Sequence, residues 1–258
     1  CSYLKHPLEM TLLLFKVSTL RGIVRVITIE HNQEISNVWR DLDGLGLHIF
    51  IRDNNAFAIL KKVGIEPKNS FENIVSARKP FGLSGTFVKT NKFKQNSSNL
   101  ARPIKVYGKG AIGFTELENI KKNKKWVPKV KVLTARANNI GTELRDDNLN
   151  PFVAQPNEVC TETYLVIGAD LNLNNKSAEN ITKYLNTKFS RYLISLSKAS
   201  QDASRSTYRF VPQQDFNSDT TDIDWSQSIS NIDQQLYKKY NLSQDESSFI
   251  ETKVQAMD

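Results

Sequence analysis

The chain has 258 residues, 39% of them hydrophobic and 24% charged, with 35 Lys and Arg against 27 Asp and Glu for a formal net charge of +8. This composition excludes a disordered chain and suffices for one large domain or two small ones with a buried core. No apolar run approaches the roughly 20 residues of a membrane helix, the longest candidate around Leu12 and Phe15 being cut by Lys16, so membrane insertion and a membrane partner are excluded.

In chain order, the apolar stretch 11–17 and the β-branched run Ile23, Val24, Val26, Ile27 and Ile29 predict strands. A helix follows, with Asp53 as N-cap, an apolar face of Ala56, Phe57, Ile59, Leu60 and Val63, and Gly64 as its stop before Pro67. Short strands are expected at 85–88, 103–107, 111–114 and 129–133, broken by Gly and Asn turns, with Thr115 and Glu118 spaced as the capping box of a helical turn. One long amphipathic helix is expected over 177–198, its stripe of Ile181, Tyr184, Leu185, Phe189, Tyr192, Leu193 and Leu196 buried against a sheet. Lys183, Lys188, Arg191 and Lys198 would lie on its solvated side. In the last 58 residues acids outnumber bases ten to five, with Asp219, Asp222 and Asp224 in a linker before a final helix capped by Ser243 and Glu246. The expected fold class is thus α+β: a mixed, β-rich domain over 1–200, then an acidic linker and helical C-terminal segment over 201–258.

Charge is the most informative feature. Between Arg78 and Asp147 sixteen Lys and Arg face five acids, a net of +11 that leaves the remainder of the chain at about −3. A concentrated patch interleaved with Phe81, Gly82, Phe87, Tyr107, Gly108, Gly110, Phe114 and Trp126 suits a nucleic-acid backbone, although a solvated lysine surface has the same composition.

Catalytic patterns are weak. Cys1 and Cys160 make neither a disulfide framework nor a metal spacing, and His6, His31 and His48 have no nucleophile and acid beside them, so no catalytic residue and no metal site is nominated. The chain reads as reduced and cytoplasmic. Because it begins at Cys1 without a charged or apolar leader, it is expected to be a piece of a longer protein. The glycines of 107–113 lack the order of a phosphate loop and fit a β-turn with a bulge. Glu66-Pro67-Lys68 with Asp53 upstream has the residue types of a restriction-nuclease metal site, but Pro67 opposes the rigid strand such a site needs. Asn150-Pro151-Phe152 is one proline short of the loop by which amino-methyltransferases hold a flipped adenine, and no glycine-rich cofactor loop precedes it.

Seven segments taken together resemble the C-terminal part of bacterial restriction-modification adenine-specific DNA methyltransferases of type II, the group that often fuses methyltransferase and endonuclease. They are IFIRDN at 49–54, IVSARKPFGL at 74–83, KVYG at 105–108, CTETYL at 160–165, YLNTKF at 184–189, FVPQQDF at 210–216 and LYKKY at 236–240. The match runs over about 45–258, with a poorly matched strand at 1–6. The resemblance implies a target recognition domain that reads double-stranded DNA, without catalytic motifs or cofactor of its own. The parent would bind S-adenosylmethionine in an upstream methyltransferase domain that is this region's partner. The residues expected to contact DNA are Arg78, Lys79, Lys89, Lys105, Lys109, Lys121, Lys122, Arg136, Thr161 and Thr163. Arg78 and Lys79, before Pro80 and Gly82, are placed for phosphate or a guanine edge, or for an internal ion pair. Thr161 and Thr163 would share one strand face opposite Glu162 and Tyr164. Lys121, Lys122, Lys124 and Lys125 would add nonspecific attraction. Two alternatives remain: a metal-dependent restriction nuclease using Asp53, Glu66 and Lys68, and a separate specificity subunit that docks onto a methyltransferase.

Overall fold

A computed structural model describes residues 3–5, 11–13, 22–30, 32–41, 51, 53–138, 140, 149–198, 202–217 and 221–255. The chain divides into two compact units, Cys1–Gly64 and Ile65–Asp258.

In the first unit β1 (Tyr3–Lys5) pairs antiparallel with β2 (Thr11–Leu13), and β3 (Ile23–Glu30) with β4 (Gln33–Asp41). The expected strand over 11–17 is described only to Leu13, and Asp219 likewise lies outside the described residues. Helix α1 (Asn54–Val63) forms as its signals predict: the Asp53 side chain accepts from the Asn55 amide, and Gly64 turns left-handed at φ 58°. Ala56, Ile59, Leu60 and Val63 are buried, while the Arg40 guanidinium stacks over Phe57.

The second unit is mixed α+β. One sheet has the order β6-β5-β9, built from β5 (Ile104–Gly108), β6 (Ala111–Thr115) and β9 (Glu158–Cys160), with β5 and β6 antiparallel and β9 parallel to β5. The other has the order β10-β7-β8, all antiparallel, from β7 (Lys131–Ala135), β8 (Phe152–Ala154) and β10 (Tyr164–Ile167). Along β5 the pattern alternates, with Ile104 and Val106 inward and Lys105 and Tyr107 half-buried, so period-two patterning places this strand. A core of Phe81, Leu83, Phe87, Ile120, Leu133, Val159, Cys160 and Val166 joins the sheets.

Several expectations are corrected. Residues Gly85–Lys89 form a 3₁₀ turn and no strand, because the Gly85 amide is taken by the Glu162 carboxylate rather than by a ladder partner. The Thr115 and Glu118 box is absent: Thr115 donates to the Lys92 carbonyl, and Glu116 sits at the cap position of the turn Leu117–Asn119 without a side-chain cap bond. The strand expected through 161–164 is absent over 161–163, between β9 and β10, so the two threonines share no strand face.

The single helix expected over 177–198 is two, α2 (Asn175–Asn186) and α3 (Lys188–Ser197). Thr187 breaks it, buried and extended at φ −63° and ψ 148°, with its hydroxyl donating to the Tyr184 carbonyl and accepting from the Ser190 amide. Helices α4 (Ile229–Lys239) and α5 (Gln244–Lys253) follow, α5 with the Ser243 and Glu246 capping box that the sequence predicts. Asp233 of α4 accepts from the Lys188 and Phe189 amides, satisfying two donors that the start of α3 leaves open. The cations expected to face solvent make internal contacts instead, three of them with the C-terminal segment. Lys183 donates to the Trp225 carbonyl, Lys188 pairs with Glu251, Arg191 donates to the Gln255 carbonyl, and Lys198 donates to the Asn138 carbonyl. The stretch read as a linker contributes Tyr208, Phe210, Val211, Phe216, Ile223 and Trp225 to the buried interior.

Phe189 is fully buried, but against α4 and its C-cap rather than a sheet: its ring stacks on Tyr240 at 5.2 Å and meets Tyr237 at 6.4 Å. Phe189→Ala should cost about 3–5 kcal/mol through lost transfer energy plus a cavity. An unchanged unfolding midpoint would refute that packing.

Candidate nucleic-acid interface

Of the residues expected to contact DNA, Arg78, Lys79, Arg136, Thr161 and Thr163 meet around the turn between β9 and β10. Pro80 and Phe81 form the centre of a reverse turn in which the Gly82 amide donates to the Lys79 carbonyl at 3.0 Å. The Phe81 carbonyl accepts from the Lys121 and Lys122 amides, and Asn123 donates to the Pro80 carbonyl, so the loops 78–85 and 121–123 are bound side by side. Gly82 is required there, since its φ is 78° and a Cβ would lie 2.9 Å from that of Lys121.

Glu162 closes the arrangement. Its amide donates to the Leu83 carbonyl, one carboxylate oxygen accepts from the Gly85 amide at 2.8 Å, and the other meets Arg78 Nε at 2.9 Å, Arg78 Nη2 at 2.7 Å and Lys79 Nζ at 3.6 Å. The Gly85 amide, followed by Arg78 and Lys79, holds this carboxyl below its ordinary pKa against the opposing effect of burial. The internal ion pair envisaged for Arg78 is therefore present, yet its side chain remains 62% exposed against 14% for Glu162. Arg136 approaches the same turn, donating from its amide to the Thr163 carbonyl and from Nε to the Glu162 carbonyl, while Nη1 pairs with Asp202.

Seven non-glycine described residues have positive φ, and six of them are Asn; the seventh is Lys79 at 57°. A left-handed lysine costs on the order of 1–2 kcal/mol, and it directs the chain into Pro80 beside this cluster.

The remaining expected residues separate by environment. Lys89 and Lys109 are exposed, Lys109 at the tip of the β5–β6 hairpin, and Lys121 and Lys122 are exposed on the bound loop. With Lys92, Lys94, Arg102 and Lys124, the residues Lys89, Lys109, Lys121 and Lys122 have no acidic partner among the described residues. Lys105 pairs with Glu158 at 3.2 Å and lies 4.9 Å from the Tyr107 ring centre. Thr163 is half-buried, whereas Thr161 is fully buried with its hydroxyl 2.9 Å from that of Thr163, leaving no surface for DNA.

Sequence counting also included Lys131, which is fully buried and donates to the Lys129 and Gln155 carbonyls. The glycines of 107–113 belong to a hairpin whose register runs unbroken from Ile104 opposite Thr115 to Gly108 opposite Ala111, without a bulge. At Gly113 a Cβ would lie 2.4 Å from the Phe93 ring, a packing reason for that glycine. Asn150 takes φ 46° and leads Phe152 into β8. The nuclease alternative gains nothing: Asp53 caps α1, and Glu66 and Lys68 pair with each other on an exposed turn. Among the described residues no group of three His, Cys, Asp or Glu could hold a metal, and no helix is long and apolar enough to cross a membrane.

No protein-family model matches the chain, and no curated protein matches it.

Glu162→Ala removes the acceptor of a part-buried amide and should lower stability at pH 7 by on the order of 1–3 kcal/mol. Because the folded-state pKa of Glu162 is depressed, its contribution is present above the ordinary carboxyl range and lost as pH falls through the folded value, so thermal melts of wild type and variant should converge in acid. Burial brings the Lys131 pKa down to about 8. The fold therefore disfavours its charged form fully below that pH, and the penalty is relieved as pH rises from about 8 to the unfolded value. Melts at pH 8 and pH 10 should show a stabilising contribution at the higher pH that Lys131→Met abolishes.

Proposed function

We propose that this chain is the DNA target-recognition region of a restriction-modification adenine methyltransferase, reading duplex DNA for an upstream domain that binds S-adenosylmethionine and carries out the methylation. It performs no chemistry alone. The observation that carries this reading is the set of exposed cations without acidic partners on the 89–124 loops and hairpin, beside Arg78, whose guanidinium is oriented by Glu162 and still open to a ligand. Loose lysines suit phosphates, and a guanidinium held in plane suits the paired acceptors of a guanine edge.

Fluorescence anisotropy with random and target duplexes, read over a salt series, tests the proposal. Affinity should fall by orders of magnitude from about 50 to about 200 mM salt, and the triple variant Lys89→Gln, Lys109→Gln, Lys122→Gln should flatten the log–log slope by about 0.9 per lost phosphate contact. A flat wild-type response would overturn the nucleic-acid reading, and methyl transfer from S-adenosylmethionine by this chain alone would overturn its non-catalytic role. In the full-length parent, Arg78→Ala should cost about 1–3 kcal/mol on target DNA and relax one position of the site, with little recovery in Arg78→Lys. Equal losses on target and random DNA in a folded variant would reassign Arg78 to phosphate.

A further inference from the structure

The outward face of the β5–β6 hairpin continues across to β8 and β10 as an open depression of about 600 Å³, lined by Tyr107, Ile112, Phe152, Tyr164, Gly108 and Gly110. Three rings form its floor. Tyr107 meets Phe152 at 4.9 Å and 62°, and Phe152 meets Tyr164 at 5.9 Å and 89°, an edge-to-face row that spans both sheets. Each ring is only half-buried, and Ile112, opposite Tyr107 in the hairpin, is 55% exposed, so aromatic and aliphatic surface stays in water where the core does not use it. A Cβ at Gly110 would meet nothing within 4 Å, which leaves the rim at backbone height.

The rim is basic. Lys109 stands exposed between the two glycines, and Lys105 lies against the Tyr107 ring. Among the described residues no carboxylate lines the depression, and Glu158, which accepts from the Tyr107 hydroxyl, is paired with Lys105. Exposed π surface beside a free lysine at the hairpin tip matches a planar aromatic group carried on an anionic polymer.

We propose that this depression stacks an unpaired nucleobase, single-stranded or turned out of its duplex, belonging to the DNA held by the basic loops. The inference rests on the nucleic-acid reading above. Stacking on ring faces is tolerant of base identity, so this site adds affinity and holds an opened strand, while sequence is read elsewhere.

The test uses the whole chain with a dodecamer of deoxythymidine and, separately, a random duplex of equal length, both followed by anisotropy at low salt. Phe152→Leu and Tyr164→Leu keep apolar bulk but remove a π face. Each should weaken single-strand binding about ten-fold while changing duplex affinity less than about two-fold, within the per-base range of stacking losses. Photocrosslinking of wild type with the dodecamer carrying 5-iodouracil needs no variant, and adducts are expected on peptides containing Tyr107, Phe152 or Tyr164. Adducts confined to other peptides, or unchanged single-strand affinity in both folded variants, overturn the proposal. Salt-sensitive duplex binding without single-strand binding also overturns it and leaves the recognition reading standing. Single-strand binding with the expected adducts but no duplex binding supports the depression and removes the recognition reading. Binding to neither removes both.

Discussion

Glu162 connects segments that lie far apart in the chain. Its amide and one carboxylate oxygen are committed to Leu83 and Gly85, its other oxygen to Arg78 and Lys79, and its carbonyl to Arg136. A carboxylate this shielded, accepting from a backbone amide and a guanidinium, makes stronger hydrogen bonds than an exposed pair would, and the surrounding turns inherit its geometry. The 3₁₀ turn at 85–89, the reverse turn through Pro80 and the presentation of Arg78 all depend on it. An acid at the centre of a basic surface thus serves to aim cations as well as to neutralise them.

Counting charges along the sequence overstates the field such a surface presents. Within the segment of net +11, Lys131 is buried, Lys125 pairs with Asp170, Arg136 with Asp202 and Lys105 with Glu158, and Lys129 reaches Asn172. Asp170, Asp202, Glu158 and Glu162 all come from outside the segment. Among the described residues, what stays exposed without an acidic partner is the smaller set on the hairpin tip, the 89–102 stretch and the 121–124 loop, beside the paired but exposed Arg78. These are exposed positions where salt screens over about 8–10 Å, so attraction to a polyanion there depends on ionic strength.

The C-terminal quarter of the chain is held by similar means. Lys183, Lys188, Arg191 and Lys198 reach backbone carbonyls or Glu251, and Asp233 returns a carboxylate to the start of α3. Polar composition in 201–258 coexists with buried Tyr208, Phe210, Phe216 and Trp225, because a few large rings supply the apolar area while the buried acid Asp233 is satisfied by backbone amides.

Local signals were legible wherever a single residue type settles backbone geometry. Asp53 and Gly64 bound α1, Ser243 and Glu246 open α5, and alternation along 104–107 places β5, because caps and period-two patterns act over a few neighbouring residues. Thr187 was illegible as a helix break: its side-chain capping of α3 competes with helix continuation, and Asp233, 46 residues on, is what satisfies the amides released. The basic loops could be named from composition, but which cations stay free depended on acids outside that segment. The aromatic row of Tyr107, Phe152 and Tyr164 had no signature in spacing, since its members come from three strands in two sheets. The sequence by itself determined the fold class, the caps of α1 and α5 and the sign of the basic segment. Only the tertiary structure decided which charges and rings meet, because pairing between distant segments follows from packing and not from local propensity.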